Sequence, residues 1–308
     1  MRQQTLSEYV KNKYHKKLYK VSINAGFTCP NRDGTLGSRG CIFCSGNGSG
    51  DFAFDPGLSV TEQIELGKKR ILSKLPKEAT GPKEAAGQTK DTKKPYGLIA
   101  YFQAFTNTYG PIERLREVYT EALRHPEVEI LSIATRPDCL GEDVLDLLGE
   151  INEIKPVWVE LGLQTIHEKT AEYIRRGYPL SVYDEAVKKL RDRGLEVIVH
   201  VILGLPGESE KDMLSTVDYV GQSGVQGLKL QLLHVLKGTD LAEDYRAGKF
   251  SCMTMEEYVE LVRKALEILP DDIVIHRMTG DGDKKILIAP QWSGDKKRVL
   301  NRLKEVLG

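Results

Sequence analysis

Three of the five cysteines, Cys29, Cys41 and Cys44, fall close together in the segment NAGFTCPNRDGTLGSRGCIFCSGNGSGDF, spaced C-x11-C-x2-C. In a reducing compartment such a crowd points to metal binding or catalysis rather than to disulfides. Thiolates bind soft or borderline metals, so this glycine-rich loop suits an iron–sulfur cluster or a zinc ion. A closed zinc site needs a fourth ligand, and none stands at finger spacing; Cys139, Cys252 or one of the six histidines would have to come from afar. On a four-iron cluster, three thiolates leave one iron open to a substrate or cofactor. Cys139 and Cys252 are isolated and read as buried small hydrophobes.

The elements that must position this loop are legible as alternating runs. Strand candidates are 20–23, 97–102, 128–135, 157–163, 196–203 and 227–233, and most are continuously apolar, as expected for a parallel sheet covered on both faces. Helix-period segments lie between them at 59–75, 111–124, 141–151, 181–193 and 209–223, with Pro111 at a first helical position and Ser181 and Ser209 as N-caps. Repeated βα units predict an α/β fold, a partial (β/α)6 TIM-like barrel over 20–240, open on one side. A basic N-terminal arm, 1–19, and a C-terminal α+β extension, 241–308, should pack around it. Residues 77–95, rich in Lys, Gly, Ala and Thr, read as a mobile surface insertion. In such folds ligands bind at the C-terminal ends of the strands, where the cysteine loop, Gln103, Arg136, Gln164 and His200 all fall.

Composition narrows the class. The 308 residues carry 44 basic and 44 acidic side chains and are 40% apolar, an ordinary globular balance with no nucleic-acid coat. No apolar run reaches the ~18–20 residues that cross a bilayer, and the N-terminus lacks a signal-like apolar region, so a cytoplasmic protein is expected.

With Phe43 before the last cysteine, the trio resembles the radical S-adenosylmethionine (SAM) enzymes. Thr135-Arg136-Pro137-Asp138 after the third strand, Glu160-Leu-Gly-Leu-Gln164 at the end of the fourth and Gly204-Leu-Pro-Gly207-Glu208 after the fifth are similar to the elongator-catalytic-subunit and coproporphyrinogen-oxidase-like branch. The tail HRMTGDGDKKILIAPQW additionally resembles the YhcC/YtqA-type family. The resemblance implies one [4Fe–4S] cluster on Cys29, Cys41 and Cys44, with SAM chelating the open iron and cleaved by one electron to a 5′-deoxyadenosyl radical. It implies that Gln164 and Arg176 hold the cofactor, Arg176 by pairing its carboxylate, and that Phe43, Arg136, Gly204 and Gly207 border it. His200 stands where relatives often carry an acidic residue facing the ribose. Gln103, Asn107 and Tyr109 follow the second strand within reach of the methionine moiety, although a polar loop explains all three somewhat better. With no second cysteine cluster and no acetyltransferase-sized domain, a one-cluster radical step is the expected reaction.

The segment KNKYHKKLYK, 11–20, and the late cations Lys296, Lys297, Arg298, Arg302 and Lys304 suit phosphate contact, and a solvated face explains them too. The resemblance implies a tRNA wobble uridine as substrate, processed at its C5 substituent, conceivably from carboxymethylaminomethyl to aminomethyl, and an electron donor such as flavodoxin or ferredoxin. His276, Arg277, Asp281 and Asp283 form a polar group that could face substrate. Two other readings are a radical enzyme on a small metabolite or peptide and a non-enzymatic RNA-binding protein with a zinc loop.

Overall fold

The computed structural model describes residues 1–48, 50, 53–75, 96–280 and 282–308. The expected insertion at 77–95 and Asp281 lie outside the described residues. The chain runs α1 (Leu6–Tyr14), β1 (Lys17–Ile23), α2 (Val60–Leu72), β2 (Tyr96–Phe102), α3 (Ile112–Arg124), β3 (Val128–Thr135), α4 (Glu142–Asn152), β4 (Val157–Gln164), α5 (Glu168–Tyr173), α6 (Leu180–Asp192), β5 (Glu196–Leu203) and α7 (Glu210–Gln222). It continues with β6 (Gly227–Leu232), β7 (Val235–Leu236), α8 (Asp240–Arg246), α9 (Met255–Ile268), β8 (Val274–Arg277), β9 (Leu287–Ala289) and α10 (Lys296–Leu307).

Seven parallel strands form one curled sheet in the order β1-β2-β3-β4-β5-β6-β8, a partial TIM barrel. The six expected strands are present, and the C-terminal segment supplies a seventh rather than only packing outside. It enters as β6–α9–β8, a parallel connection like those before it. β1 starts at Lys17, inside the stretch read as an arm. It is an edge strand, exposed or half-buried over its first four residues, so it lacks the continuous apolar run that marks a central strand. Ser209 caps α7 in a full capping box, but Ser181 lies inside α6, whose N-cap is Pro179, and Pro111 is the N-cap of α3 rather than its first residue.

Alternate strand residues point into the barrel, and they form tiers. Ile99, Ile130, Trp158 and Ile198 make an apolar lower tier with Val10 of α1, which is 3% exposed. Helix α1 therefore closes the end of the barrel opposite the cysteine loop, and the Ile275 N–H donating to Gln4 O at 2.8 Å fastens the segment before it to β8. Two positions further along the same strands, Lys20, Tyr101, Ser132, Glu160, His200 and Lys229 make a charged middle tier. Ser22, Gln103, Ala134, Gly162, Ile202 and Gln231 follow at the C-terminal ends, where they line the cavities described next.

The basic segment 11–20 belongs to the closed end. Lys13 bonds Glu196, Lys16 bonds Glu129 and Lys20 bonds Glu160. Three of its five lysines are thus paired within the chain rather than free on a cationic arm. No helix among the described residues is long and apolar enough to cross a membrane.

Candidate cluster and cofactor site

The loop after β1 is tied by its own backbone and by two side chains. Arg32 and Asp33 N–H groups donate to Cys29 O, Gly40 N–H to Asn31 O at 2.7 Å, and Cys44 N–H to Cys41 O at 3.0 Å. Arg32 Nη2 donates to Cys44 O and Ser45 O, which brings the first cysteine's turn against the last across the eleven-residue gap. Gly40 sits at φ +72°, and a Cβ there would lie 2.9 Å from Arg32 Nε, so conformation and space both select glycine. Asn31 Nδ2 donates to Arg175 O at 2.7 Å and lies 3.4 Å from Cys41 Sγ.

Cys29, Cys41 and Cys44 are half-buried thiols on the wall of one cavity of about 140 Å³. Phe43, Gln103, Arg136, Gln164, Arg176 and His200 line the same cavity, so residues distant in sequence converge there. Burial pushes the Cys41 thiol up to about 12, with Cys44 adding to the effect. A second cavity of about 470 Å³ adjoins it, sharing Phe43, Cys44, Tyr101, Gln103, Gln164 and His200. Among the described residues no three His, Cys, Asp or Glu side chains are gathered as the ligands of a single ion. The thiolates of a four-iron cube bind separate irons and stand further apart than that.

Several expected residues carry specific bonds. Gln164 has φ +71°, a rare backbone state for a side chain of its size, and its buried Oε1 has no hydrogen-bond partner among the described residues. Arg136 makes a two-pronged bond to Asp138 at 2.9 and 2.7 Å. Arg176, 2% exposed, donates to Tyr178 O, Thr165 O and Glu168. Gly204 and Gly207 do not line either cavity; at φ +90° and +87° they turn the chain from β5 to α7. Asn107 staples its loop to Ala134 O, and Tyr109 bonds Thr35, both outside the cysteine cavity. His276 packs under Trp158, ring centroids 5.1 Å apart, whereas Arg277 lines the larger cavity; Asp283 caps a turn by accepting from Lys285 N–H. Cys139 and Cys252 are half-buried rather than fully buried.

A residue group missed in the sequence lies beneath the site. Glu160, fully buried, accepts from Lys20 Nζ at 3.1 Å, Ser132 Oγ at 2.6 Å, His200 Nε2 at 2.7 Å and Lys229 Nζ. Lys229 also reaches Tyr101 OH at 3.2 Å. The signal was a titratable residue, Glu160, His200 or Lys229, inside each of VWVELGL, EVIVHVIL and GLKLQLL, since a charge in an otherwise apolar parallel strand must find a partner indoors.

This tier fixes the state of His200. Burial pulls its imidazolium down to about 4, Lys229 adds to the pull, and the Glu160 bond only partly opposes it. With Nε2 donating to Glu160, neutral His200 offers Nδ1 as an acceptor. Because the folded value lies below the unfolded one, the stabilisation is full above about pH 6.5 and is lost as pH falls towards 4, about 3 kcal/mol from this residue. Urea unfolding across that window should show His200→Gln with a flatter pH dependence than wild type; equal slopes would contradict the assignment.

A parallel half-barrel with three thiols on its first βα loop, beside a cavity at the strands' C-terminal ends, defines the radical SAM class of enzyme. The chain belongs to the radical SAM superfamily, whose family model matches residues 35–220, and its Radical_SAM C-terminal domain matches 225–307. Within it the chain groups with the YhcC/YtqA-type proteins. It is 44% identical over 306 residues to the uncharacterised protein YtqA of Bacillus subtilis, covering 99% of this chain and 89% of that one. It is 35% identical to protein YhcC of Escherichia coli over 91% of this chain and 84% of that one. A tRNA uridine(34) acetyltransferase of Methanocaldococcus jannaschii is 29% identical over 56% of this chain and 31% of its own length. Among solved structures, Methanocaldococcus infernus Elp3 with an N-terminal deletion superposes with TM-score 0.64 at 19% identity, over 94% of this chain and 63% of that one. Coproporphyrinogen III oxidase of Escherichia coli does so with TM-score 0.50 at 14% identity, over 82% and 52%. Enzymes of this superfamily use a [4Fe–4S] cluster and SAM, and these are the cofactors of this chain.

Proposed function

We propose that this enzyme modifies the C5 substituent of a tRNA wobble uridine, with Cys29, Cys41 and Cys44 holding the cluster and Gln164 and His200 positioning SAM. The observation that carries the substrate is the similarity to a tRNA uridine(34) acetyltransferase over 56% of the chain. When bound, cluster and SAM supply one-electron cleavage of the sulfonium C–S bond and the hydrogen abstraction that follows. The chain's residues bind and orient. Gln164 Oε1 offers a buried acceptor, and neutral His200 offers Nδ1 where an acidic residue was the usual expectation. Arg136 and Arg176 brace the cavity wall through Asp138 and Glu168. The adjoining cavity, about 470 Å³, lies within the ~300–1,000 Å³ usual for ligand sites and has room for an extruded base.

Because Lys13, Lys16 and Lys20 are held in ion pairs, RNA contact is assigned to the open end, and its salt dependence should be modest. Removing the orphaned acceptor in Gln164→Ala should raise the Kd for SAM about tenfold, a loss of about 1.4 kcal/mol. Equilibrium dialysis of the reconstituted protein checks this, and an unchanged Kd would remove Gln164 from the cofactor's seat. For the substrate, reconstituted protein, SAM and dithionite should alter the nucleoside profile of bulk tRNA; absence of both tRNA binding and any altered nucleoside would end this reading.

A further inference from the structure

His200 and Lys229 are register partners on the neighbouring strands β5 and β6, and both donate to one oxygen, Glu160 Oε2, His200 from Nε2 at 2.7 Å and Lys229 from Nζ. Lys20 and Ser132 take the other oxygen, Oε1. Tyr101 also holds the Lys229 ammonium, through its OH at 3.2 Å and its ring centre at 4.5 Å. His200 lines both cavities, whereas Lys229 lines neither, so whatever Lys229 does for a ligand it does through another residue. Two donors on one carboxylate oxygen are near neighbours. A proton added to the imidazole would put a second cation beside the ammonium in a desolvated tier. An amine is the more basic of the two groups by about 4 units, so a proton shared between them rests on Lys229. Among the described residues, the titratable groups around His200 are Lys20, Tyr101, Glu160, Lys229, His276 and Arg277, with His234 on the wall of the larger cavity. Burial acts most strongly against the imidazolium, Lys229 next and Arg277 less, while Glu160 favours it.

We propose that Lys229 is a positioning residue for the cofactor: by sharing Glu160 Oε2 with His200, it keeps the imidazole neutral, with its proton on Nε2 and Nδ1 left as an acceptor. The inference rests on the reading that His200 positions SAM. SAM carries a sulfonium cation, so a neutral acceptor suits the site; an imidazolium has no acceptor and repels the ligand. Removing the ammonium leaves Glu160 to attract the imidazolium, so the His200 value should return from about 4 towards the ordinary ~6.5. At about pH 5.5 only about one molecule in ten then holds the neutral imidazole, which weakens apparent binding about tenfold. At about pH 8 nearly every molecule holds it, and this loss vanishes.

Equilibrium dialysis of SAM against the protein reconstituted with its cluster, between about pH 5.5 and 8, is the test. The quantity read is the ratio of the Lys229→Met Kd to the wild-type Kd, in which the titration of SAM itself cancels. That ratio should climb about tenfold as pH falls across the range. The ratio of the His200→Gln/Lys229→Met double variant to His200→Gln should stay level, because an amide does not titrate. A level ratio for Lys229→Met, however large, overturns the positioning role. A rise that persists in the double variant runs through another group, such as His276, and overturns it as well. Lys229→Gln, which removes the charge but keeps a donor for Glu160, serves in the same comparison where the methionine variant does not fold. His200→Ala checks the underlying reading: an unchanged Kd removes His200 from the cofactor's seat, and both fall together. A weakened His200→Ala beside a level Lys229→Met ratio strikes the positioning role alone.

Discussion

Replacing Cys41 with alanine should yield a colourless protein that does not cleave SAM. The thiolate is one of three on a shared cavity wall, and a four-iron cube with two protein anchors is not retained. The loop itself should survive the change, because its shape is set by Arg32 on the carbonyls of Cys44 and Ser45 and by the Gly40 and Cys44 backbone bonds, none of which uses the Cys41 sulfur. Circular dichroism should therefore match wild type while iron falls from about four per chain to near zero and 5′-deoxyadenosine formation with dithionite disappears. Cys252→Ala, on the apolar cluster of α8, should keep colour and cleavage. A brown, SAM-cleaving Cys41→Ala protein would falsify the ligand assignment.

The second large effect concerns stability. Glu160→Gln keeps the shape of the side chain but removes the carboxylate that Lys20 and Lys229 share. Breaking a buried pair from one side costs about 3–5 kcal/mol, because the stranded charge remains desolvated. Urea unfolding should show a loss of that size, and adding Lys229→Met to the variant should recover part of it, since removing both charges spares the desolvation penalty. A loss below about 1 kcal/mol, typical of a surface pair, would contradict a buried hub. Burial pushes the Glu160 carboxyl up, but Lys20, Lys229 and the His200 bond outweigh it and hold the carboxyl well below the usual range. Its contribution is therefore complete above the unfolded value of about 4.3 and fades only as pH falls through the much lower folded value.

The barrel was legible because its central strands are predominantly apolar runs: Val128–Thr135 and Glu196–Leu203 coincide with the expected limits. The ends were less so. The edge strand β1 hides its first half behind lysines, and α5 and α8, of six and seven residues, are too short to show a helical period. The cysteines, Gln103, Gln164 and His200 could be placed on one rim from strand order alone. The convergence of His200, Lys20 and Lys229 on Glu160 could not, because it depends on the register of four strands, which no single run encodes. The basic segment 11–20 shows the converse. Its composition suits RNA contact or a solvated face, but folding places Lys13, Lys16 and Lys20 beside Glu196, Glu129 and Glu160, where each closes an ion pair.

The central claim, a radical SAM enzyme acting on the wobble uridine, is tested most directly by nucleoside mass spectrometry of tRNA from a strain lacking the gene. The account predicts an unprocessed C5 substituent on that base, restored by the wild-type gene and not by Cys41→Ala. A wobble-uridine profile identical to that of the parent strain would contradict it.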